Sequence, residues 1–247
     1  MKHIAYLFFN NNYLVHDIDD SEYTKLPILF ESLNIIGPQA DLGFYIIDYY
    51  QKKVIFLSDN ITKWGGITLE YIERNGIDFI SDKDIDMLIE INNAFFNFLS
   101  TKHYEQYTLY NISYNFRFIS NKVQYLINQT YSPLQIRHGR IWLALCTITL
   151  SSRSTRGNIV IRKKGSDFIY RYSLEKHIWN EEELINLTEI EILIIRYSAQ
   201  GLTNETIAKK LFKSVDSIKS YKKKMYKKLK VHSMPEAIVY SQNQGLL

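Results

Sequence analysis

Six lysines crowd one stretch near the carboxyl end: Lys219, Lys222, Lys223, Lys224, Lys227 and Lys228 within SVDSIKSYKKKMYKKL, residues Ser214–Leu229. An ammonium group at this density has one evident chemistry, the neutralisation of phosphate by a point charge that also donates hydrogen bonds. Between the lysines, Ile218, Tyr221, Met225 and Leu229 recur at spacings of three and four, which places an apolar stripe along one side of a helix. Ser214 and Asp216 precede the run, where a hydroxyl caps the first turn and a carboxylate complements the positive end of the helix dipole. A helix packed along one stripe and lysine-covered elsewhere suits insertion between two phosphate backbones. A merely solvated charged face has the same composition, so the neighbouring elements decide.

Those neighbours are patterned as short helices. Thr188 and Glu191 form a capping-box pair ahead of Ile190, Leu193, Ile194 and Tyr197, and Gly201 ends that helix in a left-handed turn. Thr203 restarts the chain as an N-cap, with Glu205 in the first turn and Ile207, Ala208 and Leu211 facing inward. Ser233 and Glu236 make a second capping box before Ala237, Ile238 and Tyr240. Four short helices with tight connections, the third strongly basic, outline a helix-turn-helix module.

Leu187–Leu247 resembles the LuxR/GerE-type DNA-binding domain over nearly its whole length. The residues that carry the resemblance are Leu187-Thr188, Glu191, Leu193, Gly201-Leu202-Thr203-Asn204, Ile207-Ala208, Leu211, Ser214, Ser217-Ile218-Lys219, Lys228-Leu229, Val231, Glu236-Ala237 and Gly245-Leu246. Ile190 stands where that family usually has arginine and Tyr221 where it often has histidine, so one internal ion pair and the middle of the recognition helix depart from the pattern. The resemblance implies that Lys219, Ser220 and Lys223 face base edges in the major groove. It likewise implies that Ser217, Lys222, Lys224, Lys227 and Lys228, with Thr203 and Asn204, contact phosphates. The implied partner is double-stranded DNA, bound by a homodimer on two half-sites. No arginine occurs after Arg196, so guanine reading falls to lysine, and much of the affinity is electrostatic.

Charge follows the same division. From Leu187 onward there are 11 Lys+Arg against 5 Asp+Glu, whereas the first 186 residues carry 19 against 21. The positive excess therefore belongs to the helical module, as a nucleic-acid surface requires. With 46% apolar and 14% aromatic residues the chain has ample material for a packed core. Cys146, the single cysteine, excludes an intramolecular disulfide and fits a reducing, cytoplasmic setting. It lies in the apolar run Ile141–Leu150, where it reads as a buried, inert thiol; that run is too short to cross a bilayer. Met1–Phe9 lacks a cleavage-site pattern, so no signal peptide and no membrane association are expected.

The remaining chain reads as α+β. Asp17, Asp19 and Asp20 suggest a solvated turn, since the strand and helix order of a phosphate-receiver domain is missing, and Pro27–Leu33 suggests a short helix. Gly43–Asp48 and Val54–Leu57 form a hairpin, followed by a short helix from Ser58-Asp59-Asn60 to Trp64 and another from Leu69. Asp82 and Asp84 head a longer helix, Ile85–Leu99, with Leu88, Ile91, Phe95 and Phe98 in one stripe. Tyr114–Ser120, Val123–Ile136 and Ile141–Ser151 are strands, with Asn121-Lys122 and His138-Gly139 supplying tight turns. Two strands, short helices and a three-strand meander are similar to a PAS domain over Asp41–Ser151. The organisation expected is an N-terminal segment (1–40), a PAS-like antiparallel sheet with helices (41–151), a connector containing the hairpin Asn158–Ser173 (152–186) and a small all-α four-helix module (187–247).

No glycine-rich phosphate loop, nucleophile elbow or metal-ligand spacing occurs, and the six histidines are scattered. Neither an enzyme site, a metal nor a cofactor is therefore expected; His103 and His138 read as exposed or turn residues. Phe44, Phe56, Trp64, Phe79, Phe116 and Trp142 line either a ligand pocket or a filled core. The functional reading is a sequence-specific transcriptional regulator whose PAS-like domain senses a small molecule. The alternative is a PAS-like part that serves only for dimerisation or partner docking.

Overall fold

The computed structural model describes residues 15–40, 42–120, 122–151, 155–184 and 187–244, with no account of the side chains of 242–244. The chain divides into two compact units, one ending at Glu182 and one beginning at Glu183.

The first unit is built on an eight-stranded sheet: β1 (Gly43–Asp48), β2 (Lys53–Leu57), β3 (Tyr110–Ser120), β4 (Val123–Arg137), β5 (Arg140–Leu150), β6 (Gly157–Lys163), β7 (Phe168–Ser173) and β8 (Ile178–Glu183). Their order is β2-β1-β5-β4-β3-β6-β7-β8, so the first five strands form the PAS-like antiparallel sheet. Among the described residues the helices of this unit are α1 (Asp20–Tyr23), α2 (Leu26–Ala40), α3 (Asp59–Gly65), α4 (Leu69–Asn75) and α5 (Asp82–Ser100), with a 3-10 turn over Tyr104–Leu109.

Local chemistry explains most of these boundaries. His138 and Gly139 both have positive φ, +50° and +72°, which is the geometry of a tight turn whose twist matches the strands it joins. Lys122 does the same at φ +65° between β3 and β4, while Asn121 lies outside the described residues. Pro133 is tolerated within β4 because the pairing to β5 is irregular there and the register to β3 has ended at Tyr131. Gly43 allows α3 to lie directly on β1, since a Cβ there would stand 2.6 Å from the Ile61 side chain.

Leu88, Ile91, Phe95 and Leu99 of α5 join Ile46, Ile112, Trp142 and Leu143 of the sheet in one apolar cluster. Asp84 anchors the start of α5. Fully buried, it accepts from the Arg117 backbone N–H at 2.8 Å, from the Arg117 guanidinium, and from Arg156 at 2.6 Å. Burial pushes this carboxyl up, but the bonds from Arg117 and Arg156 outweigh it and hold it below the usual range.

Two expectations change and one is extended. The short helix at Pro27–Leu33 is the first half of α2, which runs on through Gly37-Pro38 to Ala40. Asp19 is an N-cap, its carboxylate accepting from Ser21 N at 2.8 Å. The hairpin expected at Asn158–Ser173 forms as β6 and β7, and with β8 it extends the sheet. β6 pairs with β3, and Ile159, Val160 and Ile161 are buried in succession, as in a strand covered on both faces.

Candidate nucleic-acid interface

The second unit consists of α6 (Glu189–Ala199), α7 (Asn204–Lys210), α8 (Val215–Leu229) and α9 (Met234–Gln244). Each start is chemically fixed. Thr188 and Glu191 make the full capping box on α6; the Thr203 hydroxyl accepts from Thr206 N at 3.3 Å, and the Ser214 hydroxyl accepts from Ser217 N at 3.1 Å. Ser233 and Glu236 bond reciprocally ahead of α9. Gly201, at φ +79°, turns the chain after α6.

Packing then fixes which way α8 faces. Ile218, Met225 and Leu229 are buried, with Ile194, Ile207 and Ala208 around the first and Ile195 and Ala237 around the other two. Ile190 and Tyr221, the two departures from the family pattern, pack as partly buried side chains on the Ile218 cluster. Asp216, Ser220, Lys223 and Lys227 follow at intervals of four, three and four on the opposite side, all exposed, with Lys219 and Lys224 beside them.

The residues singled out in the sequence thus separate. Lys219, Ser220, Lys223, Lys224 and Lys227 share the outward face of α8. Lys222 lies half-buried on the rim of the apolar stripe, and burial lowers its pKa. The Lys228 ammonium turns to Glu191, 2.8 Å away, a carboxylate only 3% exposed that also accepts from Thr188 N and Thr188 Oγ1. Burial pushes the Glu191 carboxyl up; Lys228 and Thr188 outweigh that and hold it below the usual carboxylate range. Lys228 therefore ties α8 to α6. Thr203 and Ser217 contribute to helix starts, and Asn204 opens α7 with its Oδ1 buried and unbonded.

The first unit holds a cavity of about 50 Å³. Phe79 and Phe116 line it, as do Tyr45, Tyr114 and Gln129. The Tyr45 hydroxyl donates to Gln129 Oε1 at 2.7 Å, and Gln129 Nε2 donates to the Tyr114 oxygen at 2.6 Å. Burial raises both phenol pKa values well above normal, and no charged side chain among the described residues lines the cavity. The polar trio escaped the sequence reading because nothing marks a glutamine within a β-run as inward-facing. Its one signal was the alternation of β4, which puts Gln129 in phase with buried Ile127 and Tyr131. Trp64 lines an adjoining groove of about 210 Å³ with Tyr125 and Leu150, and Ile61, Phe118, Ile127 and Ile148 line both. Phe44, Phe56 and Trp142 belong to the solid core; Phe56 stacks on Phe30, and Trp142 meets Tyr23 edge-on.

Among the described residues no group of His, Cys, Asp and Glu is placed to hold a metal, and no helix is long and apolar enough to cross a membrane. His103 is exposed beside Glu105 and His138 sits in its turn. Cys146 is buried, which raises its thiol to about 12.

The chain is 36% identical over 61 residues to the Fimbriae Z protein of Salmonella typhimurium, covering 25% of this chain and 29% of that one. It is likewise 36% identical over 68 residues to the Fimbriae Z protein of Escherichia coli K12, covering 28% and 32%. It thus spans less than a third of the length of these relatives. Among solved structures, the response regulator ChrA of a heme-sensing two-component system is 35% identical over 25% of this chain and 31% of that one, with a TM-score of 0.25. A Vibrio cholera VqmA–ligand–DNA complex is 12% identical over 83% of both chains, with a TM-score of 0.31. Residues 185–241 match the model of the family described as bacterial regulatory proteins, luxR family, and the carboxy-terminal module of this chain is therefore a LuxR-type helix-turn-helix domain.

Proposed function

We propose that the chain is a DNA-binding transcriptional regulator in which α8 enters the major groove and the PAS-like unit responds to a small, uncharged molecule. The observation that carries the DNA reading is the outward face of α8, where Lys219, Ser220, Lys223, Lys224 and Lys227 stand free of the apolar stripe. Lys219, Ser220 and Lys223 read base edges; Lys224 and Lys227, with Lys222 reaching outward from the rim, contact phosphates. The protein acts as a homodimer on two half-sites, works in the cytoplasm and performs no catalysis. One reading helix spans only a few base pairs, so pairing supplies the affinity.

The sensing reading rests on the Tyr45–Gln129–Tyr114 chain in an otherwise apolar wall. An amide between two phenols offers both donor and acceptor to a neutral ligand without a charge to desolvate. The second reading, a docking or dimerisation unit without ligand, is favoured by the cavity's size, room for little more than water. Native mass spectrometry of the purified full chain separates them. A non-covalent adduct lost on Gln129→Leu supports sensing; a bare mass together with unaltered DNA binding in that variant supports docking.

A further inference from the structure

Asp216 is the single acidic residue of α8, in a helix with six lysines. Its side chain is 92% exposed, and it begins the line that continues through Ser220, Lys223 and Lys227. Lys219 Nζ lies 3.5 Å from its Oδ1. A carboxylate in a first turn favours any helix. Here, however, the Ser214 hydroxyl already caps the turn, and Asp216 points along the DNA-facing line, where it opposes the helix's attraction for phosphate.

We infer that Asp216 is a specificity-determining residue that accepts a hydrogen bond from the exocyclic amine of a cytosine at one position of each half-site. The inference rests on the proposal that α8 lies in the major groove. A carboxylate only accepts. Guanine presents O6 and N7 to it, and thymine O4, so both repel. Adenine offers an amine, but its N7 stands beside it and repels the second carboxylate oxygen. Cytosine offers the amine with no neighbouring acceptor. Lys219, held beside the carboxylate, donates to the O6 and N7 of the guanine across the same or the adjacent pair. The two side chains together read a C·G step, and the carboxylate lowers binding to every other sequence.

The test is enrichment of bound sequences from a random duplex pool by the full-length protein, followed by affinities on single-base variants, for wild type, Asp216→Ala, Asp216→Asn and Lys223→Ala. Wild type should prefer cytosine at one position per half-site by about tenfold, and Asp216→Ala should reduce this below about twofold. That variant should also bind unrelated DNA several-fold more tightly. Asp216→Asn, which both donates and accepts, should move the preference toward adenine. An unchanged base profile in Asp216→Ala and Asp216→Asn, with Lys223→Ala altering its own position, overturns the inference alone; a small fall in melting temperature would then assign Asp216 to the helix start. If Lys223→Ala also leaves every position unchanged, the placement of α8 in the groove has failed instead.

Discussion

The two units handle polar groups in opposite ways. In the sheet unit the consequential ones are turned inward: Asp84 between Arg117 and Arg156, and Gln129 between Tyr45 and Tyr114. In the helical module they face outward, and one ion pair, Glu191–Lys228, is drawn in. On the proposed reading, the difference follows from what each surface meets. A phosphate backbone is charged and hydrated, so lysines stay solvated until binding releases counterions. Within the sheet unit a hydroxyl or amide turned away from water is costly unless a protein group pairs with it.

The largest effect that sharpens this contrast is expected at Asp84. Asp84→Ala leaves two guanidiniums without their carboxylate; since Arg117 and Arg156 are 23% and 45% exposed and partly rehydrate, the loss should lie near the low end for such pairs, about 3 kcal/mol. Thermal unfolding should show the sheet unit melting earlier and the module unchanged. A common shift of both transitions breaks the division into independently handled units.

Glu191→Ala comes next, at about 2 kcal/mol on the module, because it removes a capping box together with the tie from α6 to α8, while the 40%-exposed Lys228 regains water. The same carboxyl gives a pH test. Its pKa is depressed in the folded module, so its contribution is complete above the unfolded value near ~4.3 and is lost as pH falls through the lower folded value. Glu191→Gln should therefore flatten acid unfolding of the module in that range, as followed by circular dichroism. An identical acid profile in the variant would show that the pair contributes nothing.

Gln129→Leu should be smaller, about 1 kcal/mol, because it removes the hydrogen bonds from Tyr45 to Gln129 and from Gln129 to Tyr114 in the cavity wall. Unfolding in urea measures it; a neutral or stabilising result would mean that the trio is not held for its hydrogen bonds.

The module was legible because its signals are local. Thr188 with Glu191, Ser233 with Glu236, Gly201, and the Ile218–Met225–Leu229 stripe each declare themselves within one or two turns. What stayed hidden there was long-range: nothing near Lys228 announces that Glu191, 37 residues earlier, claims its ammonium. In the sheet unit, β1, β2, β4 and β5 followed from apolar runs and turns. β8 did not, because Ile178–Glu183 is half acidic and its Trp179 gains its place only by packing on Phe98 and Tyr172. The cavity trio was hidden for the same reason, since which face of β4 points inward is settled by the neighbouring strands.

The claim that α8 carries DNA through its exposed lysines is tested most directly by fluorescence anisotropy of the full chain on duplex DNA across salt concentrations. If about four phosphates are engaged per module, affinity should fall at least about a hundredfold between roughly 50 and 200 mM salt. Lys224→Ala with Lys227→Ala should flatten the logarithmic slope by about two units per module, and Lys222→Ala by less than one. An affinity indifferent to salt, or a slope unmoved in the double variant, would contradict the account.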